Sequence, residues 1–341
     1  MKILFIGGTG VISHACSNLC IKKGYDLHLL NRGQSFRKAP LGSKIINADI
    51  RNSKESLSAL KNESFDVVVD WIAYEKQHVI NAYNLFHGKV SQYIFISSAS
   101  AYKKPVEELP ITEFYPLHNP YWDYSAKKIA CEKYLCKKYE DNSFPLTIVR
   151  PTHTYDYTKI PLHGGYTAID RMKRGKKIII HDDGNSVWTL TNHKDFAVGL
   201  VGLIGKKDSI GNSYNITSDD FLSWNRICEL IALAFGYKPE IIHIPSDFIN
   251  KFDKEWGAGL LGDKAHSKIF DNSKIKSLVT DFNTTIPFSI GVKEIAKWYK
   301  TNPTRQVVDY ETDNMMDIII RNRSALGGEL IECGEIITTR N

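Results

Sequence analysis

No stretch of this chain approaches eighteen consecutive apolar residues, so no membrane-spanning helix is expected. Cysteine is scarce and scattered. Its six copies stand at 16, 20, 131, 136, 228 and 333, without a Cys-x-x-Cys pair. That spacing gives no zinc module, no metal site and no disulfide framework. The opening MKILFIGGTG lacks the apolar length and the small-residue cleavage site of a signal peptide. Together these absences describe a cytoplasmic protein with reduced thiols. A strong charge of one sign is missing too. The formal charge is +6, and the basic residues are spread out apart from short runs such as MKRGKK at 172–177. A nucleic-acid partner would want a basic stripe, so phosphorylated small molecules are the more economical partners. At 341 residues the chain is long for one domain and comfortable for two, with no internal repeat and no low-complexity segment.

What is present is an alternation. KILFI (2–6), DLHLLN (26–31), KIINAD (44–49), FDVVVDWIA (65–73), QYIFIS (92–97) and LTIVR (146–150) are rich in Ile, Val and Phe. Several are apolar throughout, as strands covered on both faces are. Helix-like segments at 12–23, 53–61, 76–87 and 123–139 separate them. The pattern predicts an α/β fold, a Rossmann-type doubly wound parallel sheet over residues 1–150. From 151 to 305 the reading changes to a smaller, mostly helical substrate-binding lobe. Its helices are expected at 165–174, 194–205, 223–236, 246–252 and 289–300, with brief strands near 177–181, 213–217 and 239–244, and its chain may cross back to the sheet. Residues 306–341 read as a C-terminal helix (309–322) and a tail without an assigned role.

Strand 2–6 runs straight into GGTGVIS (7–13) and a helix. Gly7 and Gly10 allow a tight turn and close backbone approach, while the helix start offers free N–H groups to a pyrophosphate. Gly7, Gly8, Thr9, Gly10, Val11 and Ile12 are therefore expected to hold a dinucleotide. The third small position is Ser13 instead of glycine. After the second strand stand Asn31 and Arg32 in place of an acidic residue. A guanidinium there suits a ribose 2′-phosphate, which favours NADP over NAD; a solvated turn arginine is the plain alternative. Asp49 and Ile50 after the third strand, and Ala73 after the fourth, fit a nucleotide edge, although Asp49 equally fits a helix cap.

In YWDYSAKKI (121–129), Tyr124 and Lys128 are four apart, on one helix face. An ammonium beside the phenol favours the ionised tyrosine and lowers its pKa, which would suit a proton-transfer group; two exposed residues on an ordinary amphipathic helix are the plain alternative.

With GGTGVIS, ADIRN (48–52), IFISSASAY (94–102), YSAKK (124–128) and RPTHTYD (150–156), and more loosely DDGNSVWTLTNHKDFA (182–197), the chain resembles the extended short-chain dehydrogenase/reductase family, of the nucleotide-sugar epimerase/dehydratase type, over roughly residues 1–300. The resemblance implies Ser98, Tyr124 and Lys128 as catalytic residues, with Ser97 and Ser100 competing for the serine's place. It implies that Lys128 and Pro151 also contact the cofactor. Family members that dehydrate or decarboxylate carry an acidic residue just after the catalytic Ser or Thr; SSASAY has none, which disfavours both reactions. An arginine that binds the nucleotide pyrophosphate in many members is matched here by Trp188, with Arg171, Lys173 or Arg174 as substitutes, and His153 replaces a common asparagine. Tyr102, His153 and Trp188 are the candidate substrate contacts, His153 otherwise being structural. Tyr121 and Trp122 join the aromatic residues expected near the cleft mouth. The expected activity is hydride transfer at a hydroxyl of a sugar or nucleotide-sugar, epimerase ahead of reductase, by a possible homodimer. The alternatives are NADPH-dependent reduction of a non-nucleotide carbonyl, or a non-catalytic relative that binds a dinucleotide or RNA.

Overall fold

The computed structural model describes residues 1–325; the tail at 326–341 lies outside the described residues. In chain order the elements are β1 (Lys2–Ile6), α1 (Val11–Lys22), β2 (Asp26–Asn31), β3 (Lys44–Asn47), α2 (Ser53–Leu60), β4 (Val67–Asp70), α3 (Lys76–Phe86), β5 (Gln92–Ile96), α4 (Asp123–Asn142), β6 (Leu146–Pro151), β7 (His153–Tyr155), α5 (Tyr166–Lys173), β8 (Ile178–His181), β9 (Val187–Trp188), β10 (Leu190–Asn192), α6 (His193–Leu203), β11 (Asn212–Ile216), β12 (Leu222–Ser223), α7 (Trp224–Phe235), β13 (Ile241–Ile244), α8 (Ser246–Phe252), α9 (Lys254–Gly259), α10 (Ser273–Leu278), α11 (Phe288–Lys300) and α12 (Tyr310–Ala325). Seven parallel strands form one sheet in the order β11-β6-β5-β4-β1-β2-β3.

The two-residue period of a strand explains why these apolar runs need helices on both sides. Ile3, Phe5, Leu27, Leu29, Val67 and Val69 face α1 and α6, packing on Cys16, Cys20, Phe196 and Leu200. Their neighbours Leu4, Ile6, Leu30 and Val68 face the other way, toward Val79, Ala82 and Phe86 of α3 and Leu135 of α4. The reversal of strand order between β1 and β4 opens a crevice at the carboxyl ends of the strands, where ligands of such sheets bind.

The chain returns to the large sheet after residue 151. The strand read near 213–217 is β11, which pairs in parallel with β6 at the edge of the large sheet. Helices α6 and α10 also pack against the large sheet, while α5, α7 and α11 with β8–β10 enclose a second core of Ile169, Met172, Trp188, Trp224, Ile231 and Val292. Helix α12 is tied to α5 by charge: Arg171 Nη1 lies 2.6 Å from Asp313 and 2.8 Å from Asp317.

Candidate active site

Two cavities meet at the carboxyl end of β5. The first, of about 340 Å³, follows the glycine loop from Gly7 to Ser13 and ends at Ser98, Tyr124, Lys128, Pro151 and Thr152. Gly7 and Gly8 take φ of 103° and 112°, outside the range open to other residues. A Cβ on Gly8 would stand 2.7 Å from Leu29 Cδ2. Ser13 is small enough to lie buried, and its Oγ accepts from the Gly10 N–H at 2.8 Å. Helix α1 has no acidic residue in its first turn and no side-chain cap, so its N-terminus suits a phosphate group. These features fit a dinucleotide.

Its outer continuation, of about 330 Å³, is lined by Asn31, Arg32, Asp49 and Ile50. A carboxylate does stand near the arginine, contrary to the sequence reading of this turn: Arg32 Nη1 is 3.6 Å from Asp49 Oδ2. The loop after β3 brings it there, across the strand pair, where the residues of β2 alone do not reveal it. Ala73 lies behind the cleft, 2% exposed, with its carbonyl occupied by Lys128.

The second cavity, of about 310 Å³, shares Ser98, Tyr124, Pro151 and Thr152 with the first. Trp122, His153, Trp188, Asp263, Lys264 and Lys268 complete its wall. It adjoins a larger space of about 570 Å³ lined by His163, Trp224, Trp256 and neighbouring residues.

Tyr124 and Lys128 sit one turn apart near the start of α4, as their spacing required. Their electrostatics differ from the expectation. Burial, with a further push from the neighbouring Tyr74, raises the Tyr124 pKa to about 12, while a hydrogen bond from Ser98 opposes the shift. Lys128 is 1% exposed and directs its ammonium to the carbonyls of Ala73 and Ile96, at 2.7 and 2.8 Å. Its Nζ is 6.0 Å from the centroid of the Tyr124 ring. Burial lowers the Lys128 pKa to about 8. The phenol is thus raised where the sequence suggested it would fall, because desolvation dominates and the ammonium is spent on backbone oxygens.

The three serines separate by their partners. Ser97 donates to the Glu132 carboxylate in the interior. Ser98 lines both cavities, with its Oγ 2.9 Å from that of Ser100, which accepts from Ser125 at 2.8 Å. This hydroxyl chain fixes the end of β5 against α4.

Among the candidate substrate contacts, His153 and Trp188 line the second cavity. Burial, with the Lys264 and Lys268 charges, pushes the His153 pKa down to about 3, so the ring is neutral at ordinary pH. Tyr102 does not reach the cavity: it is fully buried, donating to Asn215 Oδ1 at 2.7 Å and accepting from Arg150 at 3.1 Å. Its place after the short turn that follows Ser98 turns the ring inward. Tyr121 is exposed. Nor do Arg171 and Arg174 serve as anion binders, since Asp313, Asp317 and Asp170 hold their guanidiniums. Lys173 is exposed on α5.

Sequence reasoning missed Asp263, Lys264 and Lys268, which come from a segment without a motif. It also missed Glu132, whose only signal is an acidic residue on the otherwise apolar face of α4 at an i,i+4 step from Lys128.

Comparison with known proteins agrees with this geometry. A family model described as "NAD dependent epimerase/dehydratase family" matches residues 3–217. A chloroplast stem-loop binding protein of 41 kDa from Arabidopsis thaliana is 28% identical over 267 residues, covering 72% of this chain and 67% of that protein. Pal from Bacillus thuringiensis superposes with a TM-score of 0.74 at 21% identity, over 88% of this chain and 99% of its own. UDP-glucuronic acid 4-epimerase from Bacillus cereus, solved with UDP-glucuronic acid and NAD, gives 0.70 at 20% identity with the same coverage.

Proposed function

The chain belongs to the NAD dependent epimerase/dehydratase family, and from that premise we propose that it transfers hydride at a hydroxyl of a sugar or nucleotide-sugar. One observation carries the reading: Ser98 and Tyr124 stand at the seam between the glycine-loop cleft and an aromatic-walled cavity, lining both. The loop and the start of α1, which line the cleft, would hold the pyrophosphate, and Arg32 with Asp49, which line its continuation, would border the adenosine end. Bound there, the oxidised nicotinamide supplies the hydride acceptor and a positive charge.

This chain's own residues handle the proton. Tyr124 Oη takes the proton of the substrate hydroxyl as its oxygen becomes a carbonyl, and returns it in the reverse step. Ser98 Oγ donates to the same oxygen, held in direction by Ser100 and Ser125. With its pKa at about 12, Tyr124 is protonated at neutral pH; positive charge beside it favours release of that proton to solvent, and the phenolate so formed is what takes the substrate's proton. Dehydration and decarboxylation remain disfavoured. No acid follows Ser98, and Asp263, the one carboxylate on the cavity wall among the described residues, is taken by Lys268.

Epimerisation leads over reduction. Tyr124→Phe tests the assignment: turnover is lost, and dinucleotide affinity stays within about twofold. Undiminished turnover sinks it. Identifying nucleotide released on denaturation separates the two reactions, since a retained cofactor marks an epimerase. The relative named for stem-loop binding motivates a second reading, binding without turnover. Its sign is RNA affinity that falls steeply with salt in a protein inert toward sugars.

A further inference from the structure

Three lysines converge beside the reacting hydroxyls. Lys264 and Lys268 line the 310 Å³ cavity together with Ser98 and Tyr124. Lys104, 2% exposed, lies behind them against Lys268. Only one carboxylate, that of Asp263, answers this charge on the cavity wall, and it is bonded to Lys268. Asp253 and Glu255 border the adjoining larger space.

The position of Lys264 is fixed at its backbone and open at its tip. Its carbonyl accepts from Ser186 Oγ at 3.1 Å and from Trp224 Nε1 at 3.2 Å, and lies 3.0 Å from His181 Nε2. The preceding Gly262 carbonyl accepts from Asn119 at 2.7 Å. Residues Leu260–Lys264 form a π-helical turn, a form that recurs at functional sites. The Lys264 ammonium has no hydrogen-bond or ion-pair partner among the described residues and lies 5.8 Å from the centre of the Trp122 ring. The Lys268 ammonium lies 4.8 Å from that of Trp188. Ring faces steady a cation without neutralising it. Burial lowers the Lys264 pKa, and an anion beside it would favour the charged form again.

Resting on the hydride-transfer reading, we propose that the substrate carries an oxyanion on the reacting sugar itself, a phosphate or a carboxylate, and that Lys264 binds it, with Lys268, already paired with Asp263, lying beside it. The cavity is at the small end of ligand sites, which run from ~300 to 1,000 Å³. It therefore takes one sugar ring, and an anion gripped within it lies no more than a ring's width from the carbon served by Ser98 and Tyr124. The larger adjoining space, walled by Trp224, Trp256 and His163, receives whatever the sugar is attached to.

Calorimetric titration of the full chain with glucuronate, glucose 1-phosphate, inorganic phosphate and glucose tests the proposal. We expect glucuronate or glucose 1-phosphate to bind at least tenfold more tightly than glucose. Lys264→Met should remove that preference by about ten- to a hundredfold, as loss of a charge-assisted hydrogen bond does, and Lys264→Arg should keep most of it. The stronger of the two anions identifies the source, carboxylate or phosphate, and tight phosphate alone with a weak glucose 1-phosphate would overturn the placement on the sugar. Equal affinity for glucose, a preference surviving in Lys264→Met, or no binding by any probe would each overturn the proposal. The hydride reading fails separately: Tyr124→Phe should bind the anions as wild type does, so anion preference with turnover unaffected by Tyr124→Phe would leave the lysine site standing and remove the catalytic assignment.

Discussion

Beside Ser97, at the end of β5, lies a buried ion pair whose loss can be worked out from its contacts. Arg150 on β6 grips Glu132 on α4 with two hydrogen bonds, Nε to Oε1 at 3.1 Å and Nη2 to Oε2 at 2.6 Å. Their side chains are 6% and 2% exposed. Arg150 Nη1 also donates to Tyr102 Oη and the Glu113 carbonyl, and Ser97 donates to Glu132. Removing one partner strands the other charge in the interior, which costs about 3–5 kcal/mol. Arg150→Met and Glu132→Met should each lose that much from a total stability that is itself ~5–15 kcal/mol. With a urea slope of about 3 kcal/mol per molar, each midpoint falls by roughly 1–1.7 M. The double Met variant strands no charge. It forfeits only the bonds to Ser97, Tyr102 and Glu113, at about 1 kcal/mol each, and should be at least as stable as either single variant. Urea unfolding followed by tryptophan fluorescence, with four proteins in one cycle, reads this directly. Single variants within about 1 kcal/mol of wild type, or a double variant as damaged as the sum of the singles, would falsify the reasoning.

We expect the Arg32–Asp49 pair to bias the choice between NADPH and NADH. A 2′-phosphate gains the guanidinium and meets the carboxylate 3.6 Å from it. Asp49→Asn should therefore shift the NADPH-to-NADH affinity ratio about three- to tenfold toward NADPH, and Arg32→Ala should shift it the other way; fluorescence titration that finds both ratios unchanged removes the argument. Burial also shapes the acid limb of stability. It holds the pKa of His153 down to about 3, and those of His163 and His193 down to about 4. Below about pH 6.5 the unfolded chain takes up protons that these folded imidazoles refuse, so stability falls as pH drops from 6.5 toward 4. In His163→Gln the slope across that window should lessen by up to one proton's worth, ~1.4 kcal/mol per pH unit. Unfolding midpoints at pH 4.5, 5.5 and 6.5 measure it, and an unaltered slope would mean that His163 is protonated in the fold.

Strand positions were legible because they obey local rules. The run KILFI needs cover on both faces wherever it lies, and the turn GGTG after it admits few residues besides glycine at φ above 100°. The step from Tyr124 to Lys128 is likewise a property of one helix. Residues 213–217 show the limit: they read as a strand, but only pairing with β6 decides that they extend the large sheet. Tyr102 shows it again. The same aromatic residue suits a cavity wall or a core, and Asn215, more than a hundred residues onward, supplies the buried partner that settles it.

What the sequence could not supply is the sign of an electrostatic effect, because sign depends on burial that many segments create together. Tyr124 beside Lys128 suggested a lowered pKa from spacing alone. In the fold, Trp122 lies 4.9 Å from the Tyr124 ring centre and Tyr74 lies 6.2 Å away, and the carbonyls of Ala73 and Ile96 draw the ammonium toward the sheet. Desolvation then acts on the phenol with little left to oppose it. Under the proposed hydride transfer, the same logic would tie ionisation of the phenol to the charge present in the cleft. A tyrosine held protonated can take up a substrate proton only after releasing its own to solvent, and positive charge entering the cleft would favour that release. Under the anion-binding proposal, Lys264 and Lys268 would follow that rule from the other side, since the rings of Trp122 and Trp188 stand beside their ammoniums at 5.8 and 4.8 Å in place of water that would screen the charge.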